Sequence, residues 1–157
     1  MTAVKQEFIH KVDKAKIPTC NILGVDIAAV DMVWLLDYLN DNIHALSGDY
    51  ICVSNVHTTV TAYEDVEYRK VQNGGIMAIP DGGPLSSVGQ KRGFKNMKRT
   101  TGPSLMGEIF KISVSKGYRH FFFTAQLMKL LKNSTLFWRR LILESRLLEC
   151  TALRLDL

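Results

Sequence analysis

The chain has few cysteines, and they are too widely spaced to hold it together. Cys20, Cys52 and Cys150 form no CxxC pair and no Cys/His cluster, which removes a zinc site and a disulfide framework from consideration. Cys52 lies inside an apolar run and reads as a small core residue. No apolar run reaches the roughly 18 to 20 residues that a membrane span needs. The opening residues, MTAVKQEFIHKVDKAK, lack the continuous apolar segment of a signal peptide. The expected location is the cytoplasm, with peripheral contact at the inner face of the plasma membrane. There is no Walker-type loop, GxGxxG or DxD pair, so neither a cofactor nor a metal is expected. No RNA or DNA motif is present, and nucleic acid is not an expected partner. Glycine and proline are also missing from one end: all 11 glycines and all four prolines precede residue 118.

What is present describes a folded domain. A chain of 157 residues that is 46% hydrophobic and 22% charged is long enough and apolar enough to bury a core. Its net charge of +5 favours anionic partners. After a polar arm over residues 1–20, NILGVDIAAVD alternates as one or two short strands. Asp31 then caps a helix with Met32, Leu35, Leu36, Leu39 and Ile43 at helical spacing. YICVS reads as a buried strand that the chain leaves at Asn55. TTVTAYEDVEYRKVQNG reads as one helix, with Val60, Tyr63, Val66 or Glu67, and Val71 on one face, stopped by Gly74 and Gly75. IMAIP is the next strand, and Pro84 suits the first turn of a following helix. SSVGQKRGFKNMKRTTG is basic and glycine-punctuated, a surface loop with room for one helical turn; Ser104 caps a helix over LMGEIFKISVSK that Gly117 stops, and YRHFFF is a third buried strand.

Strand, helix, strand, helix, strand predicts an α/β fold: a Rossmann-like parallel sheet with flanking helices, over residues 21–125. Residues 126–157, rich in Leu and Arg, form a divergent tail read as a basic amphipathic helix, suited to a membrane surface or a second copy of the chain through residues 136–148. In parallel sheets the ligand crevice lies beyond the carboxyl ends of the strands. That rule puts Ser54-Asn55, Pro80-Asp81 and Thr124-Ala125 on one edge.

Asp81 is the residue there most suited to chemistry, because a carboxylate at a strand end can take a proton from an attacking hydroxyl. Gly82 and Gly83 remove side chains from its approach. A DGG run also serves as a plain turn or helix cap, and Asn55 serves equally as a strand-end Asx turn. His57 reads as a base, a phosphate partner or a structural residue near a helix start, and Ser54 has no His/Asp company that would mark a nucleophile. Lys91, Arg92, Lys95, Lys98 and Arg99 are the densest positive cluster. Arg99 precedes TTGPS, whose hydroxyls, glycine and helix start offer an anion cradle; a solvated charged loop is the plainer reading.

Taken in order, VSNVHTTV, IPDGGPL, KRTTGPSLM and KGYRHFFF resemble the WecG/TagA/CpsF family of glycosyltransferases, from about Asn21 to Phe123. The resemblance implies inverting transfer of N-acetylmannosamine or a related hexose from a UDP-sugar donor to a polyprenyl-diphosphate-linked acceptor, in teichoic acid, capsule or related polysaccharide synthesis. It implies that Asp81 is the general base and that Arg99 assists the diphosphate leaving group. It also implies that Asn55 contacts substrate, with Ser54, Gly82, Gly83, Thr100, Thr101 and Gly102 lining the site. Where some members carry a threonine two residues before the asparagine, this chain has Val53, which moves that contact to Ser54 or removes it. The glycine-rich continuation of the family is not recognisable after YRHFFF, so a frameshift or truncation is expected there, with weak UDP binding. The alternative function is an inactive fragment, at most an anion- or nucleotide-binding or interaction module.

Overall fold

A computed structural model describes residues 10–120 of the chain. The chain divides into two compact units, Met1–Leu105 and Met106–Leu157. The first unit holds a four-stranded sheet. Its strands are β1 (Thr19–Ile22), β2 (Val25–Ala28), β3 (Ile51–Ser54) and β4 (Met77–Pro80), in the order β1-β2-β4-β3. Between them lie α1 (Met32–Asn42), α2 (Val56–Glu64) and α3 (Val66–Gly74), and after β4 come α4 (Gly83–Lys91) and α5 (Gly102–Lys116).

The α/β architecture expected from the rhythm of apolar runs is present, with one change. β2, β4 and β3 run parallel, but β1 pairs antiparallel with β2, so the sheet is mixed. The cause is local. Leu23 and Gly24 both take positive φ, 53° and 87°, which lets a two-residue turn fold NILGVDIA into a hairpin. Asn21 Oδ1 accepts the Gly24 N–H at 3.1 Å and helps hold this turn.

β4 is buried on both faces along its length, as a central parallel strand requires. β3 is expected to be buried as well, but only Ser54 is: Ile51 and Cys52 are half-buried and Val53 is exposed. Among the described residues it pairs only with β4, and Val53 is 39% exposed. One face of the sheet presents Cys20, Ile22, Val25, Ile27, Ala29 and Ala78 to Ala62, Leu85 and Met97, with Cys52 and Tyr68 packed against them.

Further expectations change in the tertiary structure. The single helix read over residues 58–74 is two helices, α2 and α3, broken at Asp65. Asp65 Oδ1 accepts the N–H groups of Glu67 and Tyr68 and so begins a second helix where periodicity alone sees continuation. The face chosen from Val60, Tyr63, Val66 and Val71 is exposed, and Thr59, Ala62, Gln72 and Gly74 are buried instead. Of the stretch read as a basic loop with one helical turn, residues 86–91 belong to helix α4. A Cβ on Gly89 would lie 2.0 Å from Met97 Sδ, so this glycine is what lets Met97 pack fully buried against the helix. The cap of α5 is Thr101 rather than Ser104: Thr101 Oγ1 accepts the Ser104 N–H at 3.2 Å. The capping of α1 by Asp31 and the positive φ of Gly117 after α5 agree with the sequence reading. Residues 121–123 of YRHFFF, Thr124-Ala125 and the tail at 126–157 lie outside the described residues, and Tyr118–His120 are not in a strand.

At the start of the parallel strands the polar groups are paired with one another. Lys14 Nζ donates to the carbonyls of Asn73 and Gly75, each at 2.5 Å, and so caps the end of α3. Burial pushes the Lys14 ammonium below its usual range, offset in part by Asp49 and Asp26. Tyr50 Oη donates to Val71 O at 2.7 Å, and His10 Nδ1 lies 2.6 Å from Asp49 Oδ2.

Candidate active site

The carboxyl ends of β2, β4 and β3 are strung together by one segment, Lys98 to Gly102. The Lys98 N–H donates to Val30 O at 3.1 Å, just beyond β2. The Thr100 N–H donates to Pro80 O at 2.8 Å, at the end of β4. Gly102 reaches β3: a Cβ there would sit 3.3 Å from Val53 Cγ1, closer than packed side chains usually come. Three contacts along five residues hold this segment across the strand ends, and Arg99 lies in the middle of it.

Arg99 is thereby set against Asp81. Its Nε donates to the Asp81 main-chain oxygen at 2.9 Å, which leaves the Nη groups of the exposed guanidinium directed elsewhere. The Asp81 N–H donates to Ser54 O at 2.8 Å. The backbone of Asp81 is thus bonded at both its N–H and its C=O, while its half-buried carboxylate accepts no hydrogen bond among the described residues. A fixed main chain carrying an uncommitted carboxylate is what a proton acceptor for an external hydroxyl requires.

Asn55 is both the strand end and the cap of α2. Its Oδ1 accepts the Thr58 N–H at 3.0 Å, and Thr58 Oγ1 accepts the Asn55 N–H at 2.9 Å, a reciprocal capping box. The Asx-cap reading is therefore realised, and the Nδ2 group keeps its donors. A Cβ on Gly82 would lie 3.9 Å from Asn55 Cα, so Asn55 and the DGG turn are neighbours. Neither Gly82 nor Gly83 takes a positive φ, and a Cβ on Gly83 would meet nothing within 4 Å. The fold itself does not demand glycine at Gly83; open space in front of the chain remains as the reason for it.

Two residues expected to line the site face inward. Ser54 is fully buried and its Oγ donates to Gln72 Oε1 at 2.7 Å; Gln72 Nε2 in turn donates to Tyr68 Oη at 2.9 Å. Thr100 is also fully buried. Both therefore act through their main chain, Ser54 on Asp81 and Thr100 on Pro80. Thr101 is half-buried and occupied with capping α5, its Oγ1 lying 2.7 Å from Ser104 Oγ. Of the basic cluster, Arg92 Nη1 donates to Asn21 O, and Lys98 Nζ lies 3.2 Å from Asp31 Oδ2. The N–H of Trp34, and then Lys98, hold the Asp31 carboxyl below the usual carboxylate range. His57 is exposed in the first turn of α2. Gln72 carries no signal in the sequence; it is one polar residue in an amphipathic run. The N-x-x-T spacing of the capping box, by contrast, is legible.

At the carboxyl edge of this α/β sheet the Arg99 guanidinium is thus tied to the main chain of the residue that carries the Asp81 carboxylate. A model of the glycosyl transferase WecG/TagA/CpsF family matches residues 20–143, well over half of the chain, and the chain belongs to that family. The match takes in the described sheet from Cys20 onward and continues beyond Phe123. The family consists of glycosyltransferases of cell-surface polysaccharide synthesis. No curated protein matches the chain significantly. Among the described residues no helix is long and apolar enough to cross a membrane, and no group of three or more His, Cys, Asp or Glu side chains comes together.

Proposed function

We propose that the chain transfers N-acetylmannosamine, or a related hexose, from a UDP-sugar to a polyprenyl-diphosphate-linked saccharide, with inversion at the anomeric carbon. The observation that carries this reading is the pairing at Asp81: an uncommitted carboxylate on a backbone pinned by Ser54, with Arg99 bonded to the same residue. The acceptor hydroxyl loses its proton to Asp81 as its oxygen forms a bond to the anomeric carbon. The bond from that carbon to the donor phosphate breaks, and UDP leaves with the electron pair. The free end of Arg99 then lies where a departing diphosphate gathers charge, and a positioned cation there stabilises the transition state more than the ground state. Gly83 leaves the main chain open to the sugar, and the Asn55 amide offers donors to its hydroxyls. Ser54 and Thr100 serve this reading as main-chain supports rather than as substrate contacts.

The test is turnover of UDP-N-acetylmannosamine with a polyprenyl-diphosphate-linked acceptor, beside a panel of other UDP-hexoses. Product formation that depends on Asp81 is expected. UDP binding without transfer to any acceptor would favour the nucleotide-binding module instead.

A further inference from the structure

We infer that Gln72 is a positioning residue for Asp81, acting from helix α3 through Ser54; the inference rests on the reading of Asp81 as the proton acceptor. Ser54 is bonded at two points that lead in different directions. Its carbonyl holds the Asp81 N–H at 2.8 Å, and its hydroxyl donates to Gln72 Oε1 at 2.7 Å. Gln72 is itself held, because its Nε2 donates to Tyr68 Oη at 2.9 Å one turn earlier on α3. The result is one chain of bonds running from Tyr68 through Gln72 and Ser54 to the Asp81 amide.

Two features give this chain of bonds a task. β3 pairs only with β4 among the described residues, so its last residue has a sheet neighbour on one side alone. The restraint on Ser54 from beneath the sheet comes from Gln72. An amide at a buried position is also costly unless it is bonded, and a leucine would fill the same interior position without that demand. Gln72 is buried and bonded at both ends of its amide, which fixes one orientation of the strand end where an apolar side chain would leave it free to rotate or shift. A displacement on the ångström scale at a reacting group is enough to slow a transfer step.

The test compares the unmodified chain with Gln72→Leu, Gln72→Glu and Ser54→Ala, reading kcat and KM for the donor together with hydrogen exchange at the Asp81 amide. Gln72→Leu should lower kcat about tenfold with KM changed less than about twofold, and the Asp81 amide should exchange about tenfold faster. Gln72→Glu keeps an oxygen for Ser54 and another for the Tyr68 hydroxyl, and should recover most of both losses. Ser54→Ala breaks the same link from the other side and should reproduce them if the leucine variant does not fold. Unchanged exchange at Asp81 in a folded variant overturns the inference, and so does a loss confined to KM. An unmodified chain that transfers no sugar, beside a leucine variant whose Asp81 amide has lost protection, would reject the transferase reading while supporting the link from Gln72 to Asp81.

Discussion

The two ends of the parallel strands use polar residues in opposite ways. Before β3 and β4, Lys14, Tyr50, His10 and Asp49 are bonded to carbonyls or to one another. Beyond β3 and β4 the main chain of Asn55 and Asp81 is bonded too, but the Asp81 carboxylate, the Arg99 Nη groups and the Asn55 Nδ2 are uncommitted among the described residues. The first end closes the sheet, and the second presents it. Exposed polar side chains are common on any surface. What separates this edge is that the Asp81 carboxylate and the Asn55 amide are carried on main chain bonded at both its N–H and its C=O, so their points of attachment are fixed before a ligand arrives. That is the condition under which an electrostatic contact accelerates a reaction instead of only binding its substrate.

The contrast breaks most readily at Asp81. Asp81→Asn keeps the shape and the main-chain bonds but removes the proton acceptor, and should lower transfer by about 10²- to 10⁴-fold with an unchanged thermal melt. A rate close to that of the unmodified chain would return Asp81 to the status of a turn residue. Arg99→Ala should follow with a loss of about 10²-fold, typical of removing one preorganised charge partner. A donor with a better leaving group should regain part of it, and equal losses on both donors would remove Arg99 from the departure step.

The opposite end sharpens the comparison. Lys14→Met strips the caps from the Asn73 and Gly75 carbonyls and should lower stability by about 1–3 kcal/mol, read from denaturant unfolding, while kcat stays within about twofold of the unmodified chain. A stable Lys14→Met chain with impaired transfer would erase the distinction between the two ends. The smallest effect is expected at Asp31, which caps α1 and takes the Lys98 contact. Asp31→Ala should cost about 1 kcal/mol. Because this carboxyl is held below its unfolded value, its contribution is present above the unfolded pKa and is lost as pH falls through the folded one. Acid titration of the melting midpoint should therefore show a shallower fall for Asp31→Ala than for the unmodified chain.

How far the sequence could be read depended on whether a signal was local. Asp31 before an apolar-periodic run, Pro84 inside a helix start and the short run IMAIP all state their conformation within a few residues, and each reads correctly. The break at Asp65 was missed because its side-chain caps leave the hydrophobic period almost intact. The exposure of Val60 and Tyr63 was missed because a period identifies a face and cannot say what covers it. The full length of helix α4 was not legible because Gly89 weakens helix propensity, and only the burial of Met97 against it explains why a glycine stands there.

The same division runs through the site. The residue types, the strand rhythm and the order of the DGG and TTG turns were determined by the sequence alone, since each rests on local backbone chemistry and on the rule that parallel strands end at a common edge. Which of those residues face outward was decided by the tertiary structure. Ser54 and Thr100 carry hydroxyls suited to a substrate, yet the pleat of β3 and the anchoring of Thr100 on Pro80 turn both inward. Arg99 lies eighteen positions from Asp81 and meets it only because Lys98, Thr100 and Gly102 each attach to a different strand end. Contacts of that kind depend on strand order, β2 beside β4 beside β3, and strand order is a property of packing across the whole sheet that no short stretch of sequence contains.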